Sequence, residues 1–206
     1  MKLNATLPLG YSPLAPGQIA NLVTCLEMRA APDPMPRETL APPLRLDRID
    51  GTGLADYRDL FGKVGEPWLW FSRLTMSDAK LLDILSNPLV ESFVLFGKDK
   101  PIGLLELDFR NTGDCELAFF GLVPDSVGGG LGRALMSSAI ARAWAKPIRR
   151  FWLHTCSFDH PKALGFYRRS GFEIYAFQVE TLADPRLTGH LPKHAAPHVP
   201  LLEAAR

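Results

Sequence analysis

The chain has 206 residues, of which 47% are apolar and 22% charged, and its formal net charge is +1. This is ordinary globular composition on a length that suits one domain with a sizeable core. It excludes a membrane-spanning bundle, since no apolar run approaches spanning length. It also lacks the basic excess of a nucleic-acid or membrane-surface footprint, so neither partner is expected.

Cys25, Cys115 and Cys156 are odd in number and show no short metal-ligand spacing. Reduced thiols fit them better than a disulfide framework. The first residues carry no sustained apolar core of the signal-peptide kind. The expected setting is cytoplasmic.

Taken in order, residues 1–21 are rich in proline, glycine and small residues and read as an extended N-terminal arm. The run L-V-T-C-L-E-M over 22–28 reads as a first strand. Pro32, Pro34, Pro36, Pro42 and Pro43 forbid a regular helix or central strand over 31–43, and 44–46 starts another short strand. Tyr57, Leu60, Phe61 and Val64 fall at i, i+3, i+4 and i+7, which predicts an amphipathic helix over 55–65. An aromatic stretch, E-P-W-L-W-F, follows. Ser77 is the expected N-cap of a second helix with Leu81, Ile84 and Leu85 on one face, stopped at Asn87-Pro88.

The segments E-S-F-V-L-F and I-G-L-L-E-L-D-F, joined by G-K-D-K-P, form a hairpin signal. A strand over 116–123 comes next. Leu131, Leu135 and Ala139, flanked by Met136, Ile140 and Trp144, make a helical stripe that can pack on a sheet. F-W-L-H-T over 151–155 reads as a buried strand. Pro161 suits the first turn of a short helix with Arg168 and Arg169 in its last turn and Gly171 at C′. F-E-I-Y-A-F-Q-V-E is the last strand, and the Pro-rich tail, 184–206, reads as irregular. Helices alternating with strands in this way predict a mixed α/β sheet with helices on both faces.

The stretch organising the chain is V-P-D-S-V-G-G-G-L-G-R-A-L-M, from Val123 to Met136. An apolar strand, a glycine loop and an amphipathic helix follow one another directly. Gly128, Gly129, Gly130 and Gly132 let backbone approach a ligand closely. The first amides of the helix lack intrahelical partners and carry partial positive charge, so an anion is their natural ligand. A P-loop would require Lys and Ser or Thr where Leu131 and Gly132 stand. A dinucleotide fold would place such a loop early in the chain, with an acid about 20 residues on. Neither pattern fits.

Two stretches resemble the GNAT superfamily of acyl-CoA-dependent N-acyltransferases. The glycine loop is similar to that family's V-P-[ED]-x-[RQ]-G-x-G-[IL]-G motif. The segment D-H-P-K-A-L-G-F-Y-R-R-S-G-F is similar to its N-x-x-A-x-x-x-Y-x-x-x-G-F motif. With the hairpin before them they cover residues 90–179, about half the chain. The resemblance implies one GNAT-like domain over 1–206, with a mostly antiparallel twisted sheet and acetyl-CoA as acyl-donor cosubstrate without a metal.

It further implies that Leu122 and Val123 offer backbone groups to the pantetheine arm. The loop from Val127 through Gly128, Gly129, Gly130, Leu131, Gly132 and Arg133 would cradle the pyrophosphate, and Tyr167 would be the acid that protonates the departing thiolate. Val127 replaces the family's Arg or Gln and His160 its Asn, so the pantetheine contact at His160 is altered.

Acyl transfer to an amine also needs a base and oxyanion stabilisation. A strand amide near Val123 can hold the oxyanion. Glu116 alternates with Ala118, Phe120 and Leu122, so it can point into a cleft and is the first choice of base. Glu106 and Asp108 read equally well as a solvated strand face. His154 reads as a hydrogen-bonded core histidine. Trp68, Trp70 and Phe71 suit plain core or an acceptor channel. Nothing near Cys156 makes it a thiolate, and prolines break any helix aligning His190, His194 and His198 on a metal.

The expected activity is N-acetyl transfer to a primary amine of a small molecule or peptide. The same fold serving as a non-catalytic acyl-CoA sensor or scaffold is the alternative. The sequence leaves the oligomeric state open, a homodimer among the options.

Overall fold

Strand formation follows the alternating and β-branched runs, and the order of strands places the functional stretch. The structure, a computed structural model, describes residues 6–36 and 40–203. Residues 1–5 of the arm, 37–39 of the proline loop and 204–206 of the tail lie outside them. Seven strands are present: β1 Gln18–Met28, β2 Leu44–Ile49, β3 Val90–Gly97, β4 Lys100–Asp108, β5 Asp114–Leu122, β6 Arg150–Cys156 and β7 Glu173–Ala183. They form one sheet in the order β2-β3-β4-β5-β6-β1-β7. Every neighbouring pair is antiparallel except β5 and β6.

Helices α1 Leu54–Gly65 and α2 Asp78–Leu85 cover one face, and α3 Leu131–Trp144 and α4 Ala163–Arg169 the other. The predicted stripe of α1 is the buried one, with Tyr57, Leu60, Phe61 and Val64 inside. Ser77 caps α2 by accepting from the Lys80 amide. Leu135, Met136, Ala139, Ile140 and Ala143 of α3 pack against Leu105, Leu107 and Leu117 of the sheet. The mixed, mostly antiparallel sheet with helices on both faces is therefore observed.

Several boundaries differ from expectation, among them these. β1 begins at Gln18, because pairing with β7 reaches Ala183 and draws the end of the arm into the sheet. β2 runs on to Ile49, held by a full register with β3. α4 starts at Ala163, two residues after Pro161, with its first turn closed by the Ala163 amide on the His160 carbonyl.

The tail is irregular but packed. Leu191, Ala195, Ala196 and Val199 form a small core with Ile19, Leu69 and Phe158. Its anchor is Arg186, 4% exposed. The guanidinium donates to the Asp184 carboxylate and to the carbonyls of Ala195, Val199 and Pro200.

Candidate active site

The glycine loop is shaped as its composition demands. Gly128, Gly129 and Gly130 have φ of 117°, 56° and 86°, a region that L residues resist. A Cβ at any of the three would meet nothing within 4 Å, so the loop lines open space. α3 follows with no side chain capping its start, which leaves the amides of Gly132 and Arg133 at the dipole's positive end without intrahelical partners, while the Leu131 amide bonds the Gly128 carbonyl at 3.2 Å. Val127 is 56% exposed at the entry of this cradle. The residues fit an anionic group such as a pyrophosphate.

β5 and β6 pair only from Asp114 and Arg150 to Glu116 and Trp152. Beyond that the strands diverge, and β5 runs on to Leu122 along one side of a wedge. The Val123 amide is already bonded to the Ile102 carbonyl at 3.0 Å, on the β4 side. The strand amide expected near Val123 to hold an oxyanion is therefore not that of Val123 itself. Backbone direction alternates along an antiparallel strand, so Leu122 and Phe120 are the residues that turn their amides and carbonyls into the wedge.

A bulge at the β4–β5 register, between Glu106 and Leu107, corrects a second expectation. It leaves Ala118 unpaired and moves Phe120 and Leu122 to the α3 face, while Phe119 packs on the α1 face. Glu116 therefore does not share a face with Phe120 and Leu122. It stands with Asp108, its cross-strand partner, and with Trp152 across the parallel pair.

At this fork the acids are mostly neutralised. Asp108 pairs with Arg110 at 2.6 Å, Glu27 with Arg150 at 2.6 Å, and Asp114 with Arg150 at 3.6 Å. Glu116 has no such cation among the described residues. Its nearest basic atom is Nδ1 of His154 at 3.9 Å, too long for a hydrogen bond. Burial pushes its carboxyl up to about 7, and the charges of Asp108 and Glu106 add to the rise. His154 is half exposed beside it, so the core reading of that histidine is corrected. The Trp152 indole N–H is buried nearby with no partner among the described residues.

Tyr167, on α4, sits on the α3 side of the wedge, against Phe120, Phe166 and Phe172 at 6.3, 5.6 and 6.3 Å between ring centroids. Phe120 and Phe166 stack at 5.8 Å. No described residue bonds the Tyr167 hydroxyl. Burial, and then the charge of Asp159, raises its pKa well above the ordinary phenol value.

Sequence reasoning missed the group that braces the opposite wall. Glu106 is fully buried and carries an ion pair with Arg73, while Tyr57 and Ser92 donate to its other oxygen at 3.2 and 2.9 Å. It is not on a solvated face. Arg73 also lies over Phe119 at 4.9 Å. The available signal was a lone acid inside the apolar run I-G-L-L-E-L, which has to find a cation if it is buried.

Trp70 packs on Phe119 and Phe61 and directs its indole N–H at Asp159, 3.5 Å away. Asp159 meanwhile accepts from Thr155 Oγ1 and the Cys156 amide. His160 accepts the Lys162 amide at Nδ1 and packs on Trp68 at 5.3 Å. The tail histidines are spread along the same aromatic segment: His190 over Phe71, His194 on Glu66 and His198 on Trp68. Among the described residues no group of three or more His, Cys, Asp or Glu side chains is placed to hold a metal.

The sequence model of the acetyltransferase (GNAT) family matches residues 57–172, which spans the wedge, the glycine loop and Tyr167. No curated protein matches the chain. Among solved structures, a functionally unknown conserved protein of Staphylococcus epidermidis superposes with a TM-score of 0.62 at 15% identity. The overlap covers 82% of this chain and 63% of that one. An aminoglycoside acetyltransferase from an uncultured soil metagenomic sample, solved with trehalose, gives 0.52 at 16% identity over 62% and 87% of the two chains. The PaiA N-acetyltransferase of Thermoplasma acidophilum, solved with coenzyme A, gives 0.50 at 19% identity over 64% and 91%. Likenesses at these identities show the shared fold.

Proposed function

The chain belongs to the acetyltransferase (GNAT) family, and we propose that it transfers an acetyl group from acetyl-CoA directly to a primary amine of a small molecule or peptide. The observation that carries this reading is the wedge between β5 and β6. It has an uncapped, glycine-lined helix start beyond one end and an unpaired carboxylate at its fork.

Acetyl-CoA supplies the activated acyl group. The amides of the glycine loop and of Gly132 and Arg133 hold its pyrophosphate, and the backbone of Phe120 and Leu122 offers an antiparallel-strand edge to its pantetheine arm. Glu116 takes a proton from the incoming ammonium at a carboxylate oxygen. With an acidity near neutrality it is ionised often enough to accept and basic enough to be useful. His154 stands half exposed 3.9 Å away, so that proton passes toward solvent through a bridging water beside it. The Tyr167 hydroxyl, bonded by no described residue, gives its proton to the departing sulfur and is reprotonated, through water, by the second proton that the nitrogen loses on becoming an amide. The N–C bond forms as the C–S bond breaks, and protons balance.

The one acid at the fork that no arginine or lysine among the described residues neutralises, Glu116, favours a cationic acceptor. Three unpaired cysteines accord with a cytoplasmic setting.

Titration with acetyl-CoA followed by thiol release over a panel of amines tests the reading. Release on some amine is expected, with Tyr167→Phe binding acetyl-CoA normally but turning over about 10²-fold more slowly. Binding without release on any amine would favour a sensor of the same fold. Failure to bind would remove the premise.

A further inference from the structure

β7 is the outer strand of the sheet, and nothing among the described residues pairs with its free edge. It is eleven residues long, Glu173–Ala183, and contains no Pro, Gly or Lys to blunt that edge. Beside it lies an apolar stripe. Phe177 and Val179 are 64% and 50% exposed, and Leu22, the cross-strand partner of Val179, is 53% exposed. All three are on the α3 and α4 face, since Phe177 pairs with Thr24 and Val179 with Leu22 in step with the buried Leu26 and Ile174. The described part of the arm does not cover them, for Leu9 and Tyr11 are themselves fully exposed.

The sequence of β7 is complementary to itself. When two copies are laid antiparallel about Gln178, Phe177 faces Val179 of the second copy, and Ala176 faces Glu180. Beyond these pairs the bulge at Tyr175 breaks the alternation, since Ile174 packs with the α3-side core and Leu182 with the tail core on the opposite face. The acid in this stretch, Glu180, meets an alanine and not another acid, which removes the repulsion that opposes most self-pairings of charged strands. Phe177 and Val179 of each copy then join with Leu22 into one apolar patch across the two-fold, while Gln178 meets Gln178 on the other face. The bulge between β1 and β7 falls at Tyr175, outside the stretch from Ala176 to Glu180 that carries the pairing.

We infer that this chain forms a two-fold dimer by antiparallel pairing of β7 with β7 of a second copy, in the register centred on Gln178. The sheet then continues from one copy into the other, and the free edge and apolar stripe are covered together.

Sedimentation of the full chain at tens of micromolar should give a dimer. Phe177→Glu, at an exposed site that the fold of one copy does not use, should raise the dimer dissociation constant about 100-fold or more. Gln178→Cys fixes the register. Facing Cα atoms in an antiparallel pair lie about 4.5–5.5 Å apart, within disulfide reach. Mild oxidation should therefore link Gln178→Cys to itself, and leave Thr181→Cys unlinked because its two copies would be roughly 20 Å apart. A monomer, a dimer indifferent to Phe177→Glu, or a dimer in which Gln178→Cys fails to cross-link would each overturn the inference. Catalytic activity has no bearing on any of these readouts.

Discussion

At the fork of β5 and β6 Glu116 stands without a cationic partner among the described residues, while the acids around it each have one. Burial first, and then the charges of Asp108 and Glu106, shift its acidity up to about 7. Activity is expected to rise with pH through that midpoint, because only the ionised carboxyl can accept a proton. Glu116→Gln should abolish the acidic limb and slow turnover about 10²–10³-fold at about pH 8. Stability should move the other way. A carboxyl whose folded pKa lies above its unfolded value binds more protons in the native state between the two, so stability falls as pH rises from 4.5 to about 7. Above that window the penalty is complete. Thermal unfolding of Glu116→Gln at about pH 8 should show a gain on the order of 2 kcal/mol, absent at about pH 4. Loss of activity together with loss of stability would instead make Glu116 a structural acid.

Among the elements, α1, its connection to α2 and β5 are held by the buried Arg73–Glu106 pair and by close backbone approach at Gly121. A Cβ at Gly121 would come within 2.4 Å of Val64 Cγ1 and 3.3 Å of the Trp70 ring. Arg73→Ala strands a fully buried carboxylate that also holds Tyr57 and Ser92, and should cost about 3–5 kcal/mol in chemical denaturation. The double change Arg73→Met with Glu106→Leu should recover most of the loss, since the penalty comes from the orphaned charge rather than from the absence of attraction. If both variants are equally damaged, packing of Arg73 on Phe119 matters more than the pair. Periodicity made these elements legible. The 3.6-residue stripe of α1, the hairpin of β3 and β4, and the glycine loop before α3 all stand where pattern put them. The bulge at Ala118 was not legible, because one extra residue in a strand of apolar side chains leaves no mark on alternation. It reassigned Phe120 and Leu122 to the other face. The burial of Glu106 depends on Arg73, 33 residues away, and no local rule pairs them.

For the molecule as a whole, the tail is the part that sequence described least well, since irregular backbone has no period to read. Its order comes from one side chain. Arg186 gathers the Asp184 carboxylate and the carbonyls of Ala195, Val199 and Pro200 into a single buried knot. That knot sets Leu191, Ala195, Ala196 and Val199 on Leu69 and Ile19, and it brings His190, His194 and His198 to the segment from Glu66 to Phe71. The sheet needs none of these contacts to pair, apart from the bond between the Asp184 amide and the Gly17 carbonyl. Arg186→Ala should therefore free the tail while leaving the strands intact. Limited proteolysis should cut between 185 and 203 at least about tenfold faster than in the parent, before any cut in the sheet. Arg186→Lys should not restore protection, because an ammonium cannot reach a carboxylate and three separate carbonyls in the directions a planar guanidinium does. Unchanged cleavage of Arg186→Ala would mean that the apolar contacts of the tail hold it without the knot. Since Trp68 lies between His160 and His198, a freed tail should also weaken acetyl-CoA binding measured by calorimetry, with the glycine loop itself unaltered.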